Sequence, residues 1–229
     1  MNKLIIIPAR GGSKGIPKKN IYPLNGKPLL LYTLEIITEA KLEKADIVVS
    51  TDSKEIKGIA ESVSNVYVVD RPDQISGDNA STEDALIHAL HYMENLLNKR
   101  YEAVITLQPT SPLRKASTLK DFIEHFENNY PKFDALLSLS EDRTDFWIQE
   151  NGNFGRLFPM APRRRQERKP IYKENSAYYI TGTQALLETH SVLGHNVNGY
   201  VISEIEGIDI NEPIDLVIAS AFLNKNNIL

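Results

Sequence analysis

The stretch IIIPARGGSKGIPKKN, from Ile5 to Asn20, joins a short apolar run to a loop rich in glycine and basic residues. The apolar run over 3–7 predicts a buried strand. No helical pattern begins directly after it, and the glycines that follow let a backbone approach a ligand closely. The chain therefore opens with a strand that ends in a basic, glycine-rich loop.

Short apolar runs alternate with segments of helical periodicity through most of the remaining chain. This alternation predicts an α/β fold with a mainly parallel, Rossmann-like sheet, in a single domain over residues 1–229. Thr183 is the predicted cap of the fifth helix, and Asn211 opens the last one. The predicted strands after the first are 46–50, 66–69, 103–107, 134–139, 176–180 and 200–203. The predicted helices before the last are 28–40, 53–61, 82–97, 117–128 and 183–188.

The segment 141–172 breaks this alternation. It lacks clean periodicity, and it contains Trp147 and the basic run PRRRQERK. We interpret it as an insertion that packs against something other than the main sheet.

Composition excludes several classes of function. The 229 residues include no cysteine, so disulfides, thiolate nucleophiles and cysteine zinc sites are excluded. A net charge of −4 argues against non-specific nucleic-acid binding. The start MNKLIIIPAR is too short for a signal peptide and no apolar run is long enough for a membrane span. We therefore expect a cytoplasmic protein with no nucleic-acid or membrane partner.

Ligands of parallel α/β sheets bind outside the carboxyl ends of the strands. The first such loop carries Arg10, Lys14, Lys18 and Lys19, whose charge suits phosphates. The alternative is that this loop is only a solvated basic segment. The position of the loop directly after the first strand favours the phosphate interpretation. The spacing matches neither Walker A nor GxGxxG.

Loops at the same predicted edge offer groups that suit a nucleoside. Arg71 and Gln108 lie there, and a Gln side chain carries the donor and acceptor that a base edge requires. The alternative for Gln108 is a loop residue that hydrogen-bonds to backbone. Asp52 is either functional or part of a helix cap.

Near the C-terminus, Asp209 and Asn211 are two residues apart on what we predict to be a strand end. Both side chains then project to one face, where oxygen ligands suit Mg²⁺. The alternative is that Asn211 caps the last helix and Asp209 is solvated.

These motifs together resemble the CMP-sialic acid synthetases, also called acylneuraminate cytidylyltransferases. The first loop carries the match at Arg10, Ser13, Lys14, Gly15, Ile16, Pro17, Lys19 and Asn20. It continues in the family's order through VSTDS, RPDQISGDNAS, LQPTSPLR, the RRQ cluster, ENSAYYI and GIDI. The resemblance implies a nucleotidyltransferase sheet, transfer of CMP from CTP to a nine-carbon 2-keto sugar acid, release of pyrophosphate, and Mg²⁺ as cofactor.

The resemblance also implies a role for individual residues. The implied catalytic residues are Arg10, Lys19 and Asp209, and the implied metal ligands are Asp209 and Asn211. The implied nucleotide-binding residues are Pro8, Ala9, Arg10, Lys14, Asn20, Arg71, Ala80, Thr82 and Gln108. The implied residues for the sugar acid are Gln108, Arg165, Lys173, Asn175 and Tyr179. In the family the inserted segment forms a dimer contact, so 141–172 becomes a dimerisation segment and Arg165 is expected to act in the partner's site of a homodimer.

Two departures from the family leave alternatives open. The family often has a second aspartate where this chain has Asn211, so either Asn211 binds metal as a neutral ligand or water or Glu212 replaces it. Lys173 stands where an arginine is frequent, which leaves the sugar open between N-acetylneuraminate, expected first, and legionaminate or another nonulosonate. A Kdo-type cytidylyltransferase and a catalytically weak CTP-binding homologue are further alternatives.

Overall fold

The computed structural model describes residues 1–13, 15–77 and 80–225. Its helices are α1 (Leu29–Ala40), α2 (Lys54–Glu61), α3 (Thr82–Leu97), α4 (Ala116–Asn129), α5 (Thr183–Thr189) and α6 (Pro213–Lys225). Its strands are β1 (Lys3–Pro8), β2 (Pro23–Leu24), β3 (Lys27–Pro28), β4 (Ala45–Thr51), β5 (Val66–Asp70), β6 (Ala103–Thr106), β7 (Ala135–Asp142), β8 (Trp147–Glu150), β9 (Asn153–Arg156), β10 (Ile171–Gly182) and β11 (Val197–Val201).

A seven-stranded sheet in the order β11-β7-β10-β6-β1-β4-β5 forms the centre of the molecule. Strands β6, β1, β4 and β5 are mutually parallel, as are β7 and β11. The predicted mainly parallel α/β sheet is therefore confirmed. Strand β10 is antiparallel to both its neighbours, β6 and β7, a reversal that the alternation of elements did not indicate.

The reversal arises because β7 and β10 are the two arms of one long hairpin. Their pairing begins at Ile171 opposite Asp142, so the predicted strands 134–139 and 176–180 are both too short. The parts of the two arms beyond the predicted strands contain charged residues, so the sequence shows no regular spacing of apolar residues there. Since β7 is parallel to β6, the segment between the arms leaves the sheet at the edge where β1, β4, β5 and β6 also end.

Alternate residues of β1 face opposite layers. Ile5 and Ile7 are buried in one cluster with α1 and α4, while Leu4 and Ile6 are buried in a second with α3. Such two-sided burial explains why the strand reads as an unbroken apolar run. A third cluster packs Ile210 against residues of α1 and α6 and so fixes the segment before α6.

Some local predictions were wrong. The residue before α5 is Gly182, and Thr183 makes no capping hydrogen bond. The last strand is β11, which lies earlier than 200–203 because it pairs with Ala135–Leu139 of β7. Residues 208–211 form an extended loop rather than a strand end. In contrast, Ser53 caps α2 as expected, accepting a hydrogen bond from the Ile56 amide at 3.5 Å.

The inserted segment forms a small antiparallel hairpin, β8 and β9, followed by an irregular stretch. It exposes large apolar side chains to an unusual extent, with Trp147 53%, Phe154 69% and Met160 95% accessible. Exposed apolar clusters of this kind mark interaction surfaces. Within the described residues, no helix is both long enough and apolar enough to cross a membrane.

Candidate active site

A cavity of about 410 Å³ lies at the carboxyl ends of β1, β4, β5 and β6, and we call it the strand-end cavity. Most of the residues that the sequence assigned to a nucleotide line it. These are Pro8, Arg10, Asn20, Arg71, Ala80, Thr82 and Gln108, together with the catalytic candidate Lys19. The cavity therefore brings together predicted residues from loops that are up to 100 positions apart in the sequence.

The positive charge of the strand-end cavity comes from Arg10, Lys19 and Arg71. Arg10 donates to the Gly77 carbonyl at 3.3 Å. Arg71 is buried and donates to the carbonyl and hydroxyl oxygens of Ser50 at 2.8 and 3.2 Å. Burial lowers the pKa of Arg71, and the nearby charge of Asp52 opposes that lowering. Two guanidinium groups beside a lysine ammonium suit an anion with several oxygens.

The predicted nucleotide residue Ala9 and the basic residue Lys18 do not line the cavity. Ala9 is fully buried, and its amide donates to the Ser50 carbonyl at 2.9 Å. Lys14 lies outside the described residues. Lys18 forms an exposed ion pair with Glu55 at 2.7 Å, so its charge is directed elsewhere.

Asp52 organises the basic loop rather than facing a ligand. Its carboxylate accepts a hydrogen bond from the Gly11 amide at 2.7 Å. A Cβ on Gly11 would lie 3.0 Å from that of Ser53, and a Cβ on Gly15 would lie 2.9 Å from the Asn211 carbonyl. The absence of a side chain at Gly11 and Gly15 therefore lets the loop pack closely against Ser53 and against Asn211, respectively.

One wall of the strand-end cavity is the segment before α3, where Ala80 and Thr82 were predicted but Gly77 and Ser81 were not singled out. Gly77 and Ser81 line it, and Ser81 caps α3 by accepting from the Asp84 amide at 3.0 Å. The first turn of α3 thus faces the cavity, and the exposed amides of a helix N-terminus favour anions. The signal was the Ser81–Thr82 pair directly before an amphipathic run.

Lys19, Asn211 and Asp209 form a continuous hydrogen-bonded chain at the edge of this cavity. The Lys19 ammonium donates to Asn211 Oδ1 at 3.1 Å, and Asn211 Nδ2 donates to Asp209 Oδ2 at 2.8 Å. The two C-terminal side chains therefore do share a face, as predicted, although the segment is not a strand. Asn211 does not cap α6 through its side chain; instead Asp215 Oδ2 accepts from its amide at 2.9 Å.

The residues at Asp209 fit a hard divalent cation only in part. Asp209 Oδ1 is buried with no hydrogen-bond partner among the described residues, which leaves one carboxylate oxygen for a ligand. Asn211 adds an amide oxygen, and oxygen donors suit Mg²⁺. The part of the chain that the structure describes has no group of three or more carboxylates and histidines that could hold a metal. A metal here would need phosphate and water to complete its ligands.

A second cavity of about 350 Å³ adjoins the first, and we call it the acidic cavity. Asn211 lines both cavities. The acidic cavity contains the predicted residues Lys173, Asn175 and Asp209. Its charged lining is completed by three further carboxylates, those of Glu174, Glu204 and Asp215.

Asn175 and Tyr179 are held by the protein. Asn175 is buried, accepts from Ser138 Oγ at 2.5 Å and donates to Ser140 Oγ at 2.9 Å. Tyr179 does not line either cavity; its hydroxyl donates to Glu174 Oε1 at 2.5 Å, and burial raises its pKa. Asn175 therefore lines the acidic cavity with its side chain held by two serines, whereas Tyr179 acts on the cavity through Glu174. Lys173 also lines the cavity and is exposed.

The basic run of the insertion is organised by one carboxylate. Asp145 pairs with Arg156, Arg163 and Arg168 at 3.0 to 3.4 Å, and these guanidinium groups lower its pKa. Arg165 lies in a short 3₁₀ turn and is exposed. The hydrogen bond from Thr144 lowers the pKa of Asp142, and the charges of Lys173 and then Arg165 lower it further. Arg165 lines neither cavity of its own chain.

Most of the chain matches one known protein family. Residues 4–196 match the family model described as cytidylyltransferase. The chain belongs to the cytidylyltransferase family. The resemblance drawn from the sequence motifs is thereby confirmed, although Asp209 and Asn211 lie beyond the matched range.

Three of the relatives that the chain matches carry different names. An N-acylneuraminate cytidylyltransferase of Escherichia coli is 29% identical over 98% of this chain, but the chain spans only 52% of that protein, about half its length. The CMP-N,N'-diacetyllegionaminic acid synthase of Legionella pneumophila is 29% identical, over 99% of this chain and 98% of its own. A pseudaminic acid cytidylyltransferase of Campylobacter jejuni is 30% identical, over 99% and 98%.

Solved structures agree on the fold. A CMP:2-keto-3-deoxy-manno-octonic acid synthetase complexed with CTP superposes with a TM-score of 0.72 at 16% identity, over 99% of this chain and all of that one. A 4-diphosphocytidyl-2C-methyl-D-erythritol synthase from Anaerococcus prevotii gives 0.66 at 16% identity. Both support a nucleotidyltransferase sheet.

Proposed function

We propose that this chain transfers CMP from CTP to the anomeric hydroxyl of a nine-carbon 2-keto sugar acid and releases pyrophosphate. The observation that carries the proposal is the pairing of two cavities through Asn211, one basic and at the strand ends, the other containing Asp209 and Lys173. A transferase of this kind needs the triphosphate and the acceptor side by side.

In this proposal the strand-end cavity holds CTP. Arg10 and Lys19 contact the triphosphate, with Lys14 in the same loop, while Asn20, Arg71, Thr82 and Gln108 hold the ribose and base. The anomeric oxygen of the sugar attacks the α-phosphorus as the bond to the bridging oxygen of pyrophosphate breaks. Negative charge grows on the leaving group, and fixed cations at that position lower the barrier.

Asp209 accepts the proton of the attacking hydroxyl or orients it. We propose Asp209 and Asn211 as the residues that hold Mg²⁺, on the strength of the unpartnered Asp209 Oδ1. When bound, Mg²⁺ supplies positive charge to the phosphate oxygens.

The acidic cavity receives the sugar acid. Its lining has four carboxylates and one lysine, so an anionic acceptor meets a repulsive surface unless further positive charge is added. We propose that a homodimer supplies it, with segment 141–172 as the contact and Arg165 reaching the partner's acidic cavity. The exposed Trp147, Phe154 and Met160 support such a contact.

N-acetylneuraminate is the acceptor that we propose first. The near full-length match to the Legionella and Campylobacter relatives favours a second candidate, a legionaminate or pseudaminate. Because free CTP is a cytoplasmic metabolite, we place the reaction in the cytoplasm.

The test is pyrophosphate release from CTP and Mg²⁺ with N-acetylneuraminate, legionaminate, pseudaminate and Kdo side by side, with CTP binding measured by calorimetry. Turnover with one nonulosonate and none with Kdo would support the proposal and name the sugar. CTP binding without turnover on any acid would contradict the transferase and favour a weak CTP-binding homologue.

A further inference from the structure

Arg114 lies between the two cavities and has an unusual environment. Its side chain is buried, with 3% of the residue exposed. Buried arginines are ordinarily paired with a carboxylate. Among the described residues, however, no carboxylate forms an ion pair with Arg114 within 4.0 Å. Instead it donates to three oxygens from three parts of the fold: the Thr33 hydroxyl of α1 at 2.5 Å, the Ala177 carbonyl of β10 at 2.8 Å and the Gln108 carbonyl at 2.6 Å. A buried charge held this way constrains all three elements.

The bond to Gln108 acts on the strand-end cavity. Gln108 lines that cavity, and the guanidinium fixes its backbone from behind. Two residues later, Thr110 also lines the cavity, and its carbonyl accepts the Ile210 amide at 2.8 Å. Ile210 lies between Asp209 and Asn211, so the loop that Arg114 holds is also the backbone anchor of those two residues.

The charges of Arg114 and Asp209 complement one another. Arg114 Nε and Asp209 Oδ1 are both buried without a hydrogen-bond partner in the described part of the chain. Burial lowers the pKa of Arg114 to about 10, and Tyr178 and then the carboxylate of Asp209 oppose that lowering. Asp209 is thus the carboxylate that balances this buried cation at longer range.

We propose that Arg114 is a positioning residue that sets the placement of Gln108 and of Asp209 together, and so aligns the nucleotide with the acceptor. This inference rests on the proposed CMP transfer. Arg114 touches neither substrate; it acts through the Gln108 carbonyl and through the Thr110–Ile210 backbone bond.

The test compares Arg114→Lys and Thr33→Val with the wild-type enzyme. Lysine keeps the positive charge but lacks the planar guanidinium that donates to three acceptors at once. Valine at position 33 removes the hydroxyl acceptor at nearly constant volume. Because a misplacement of about 1 Å costs up to about 100-fold in rate, we expect Arg114→Lys to lower kcat by about that factor. CTP affinity should fall in the same variant, and Mn²⁺ binding, followed by electron paramagnetic resonance, should weaken. Thr33→Val should shift all three quantities in the same direction by less.

Arg100→Lys is the matched control, because Arg100 is 86% exposed and pairs with Glu94 far from both cavities. The contrary result is that Arg114→Lys and Thr33→Val only lower the melting temperature and leave kcat, CTP affinity and Mn²⁺ binding unchanged. That result would show that Arg114 is only structural and would overturn the inference. If the wild-type protein releases no pyrophosphate from any acid, the proposed function fails, while CTP and Mn²⁺ binding still report on whether Arg114 positions both sites.

Discussion

The strand-end cavity and the acidic cavity share Asn211 but are built in different ways. The first is walled by loops whose backbones are bonded to the sheet, as when the Arg71 amide donates to the Thr51 carbonyl at 2.8 Å. The charged side chains that line it, among the described residues, are cations. The second is walled by the arm of β10 and the segment before α6, and carboxylates dominate its charge. In the proposed reaction, the triphosphate site is therefore complete within one chain, whereas the acceptor site needs positive charge from outside it.

The largest effect that tests this division is expected from Asp209→Ala. Loss of the carboxylate should lower kcat by about 1,000-fold, as when one group that stabilises a transition state is removed, while CTP still binds. Stopped-flow pyrophosphate release and calorimetry measure the two quantities. Asp209→Asn is the matched variant, which keeps the shape and removes the charge. A wild-type rate in either variant would remove Asp209 from the reaction.

Gly15→Ala should affect both cavities at once. The new Cβ would lie 2.9 Å from the Asn211 carbonyl, so the basic loop or the 208–211 segment must move. We expect kcat/KM to fall by about 100-fold and CTP affinity to fall with it. Gly12→Ala is the control, because nothing lies within 4 Å of the added Cβ. Equal behaviour of the two variants would show that the loop and Asn211 are not mechanically coupled.

Arg165→Ala tests whether the acceptor site is completed by a second copy. Loss of a charge-assisted hydrogen bond should lower turnover by about 30-fold and leave CTP binding unchanged. Mixing this variant with Asp209→Ala gives heterodimers in which one site has both residues, so activity should reappear. If mixing restores nothing, while sedimentation shows that subunits exchange, Arg165 does not act across the interface.

Asn211→Asp should sharpen the metal assignment. A second carboxylate replaces a neutral ligand, so Mn²⁺ affinity should rise by about fivefold, since ligand charge tunes the affinity of such sites. Metal titration by electron paramagnetic resonance measures it. Asn211→Ala should weaken binding instead, and identical affinities in all three proteins would place the metal elsewhere.

The smallest effect is expected from Lys18→Ala. The ion pair of Lys18 with Glu55 is exposed and outside the strand-end cavity, so unfolding free energy should change by less than about 0.5 kcal/mol and CTP affinity not at all. Chemical denaturation and calorimetry check the two values. A marked loss of CTP affinity would mean that the loop rearranges when nucleotide binds.

The strand-end cavity was largely predictable from the sequence because parallel strands end at one edge. Given that rule, the loops containing Arg10, Arg71 and Gln108 had to meet. The acidic cavity was less predictable, since it depends on the reversed β10 and on the loop before α6, and neither has a local signature. The role of Arg114 was invisible for the same reason: its three acceptors, on Thr33, Gln108 and Ala177, come from distant parts of the chain.

Asn211 as a common wall has a thermodynamic consequence. Lys19 bonds to it from the strand-end side and Asp209 from the acidic side, so a ligand that moves Lys19 alters the surroundings of Asp209. The free energies of binding around a closed cycle must sum to zero. If bound nucleotide changes the affinity for the sugar acid by some factor, bound sugar acid therefore changes the affinity for nucleotide by the same factor. One amide side chain thus couples the two affinities, and a titration of either ligand in the presence of the other measures the same coupling factor.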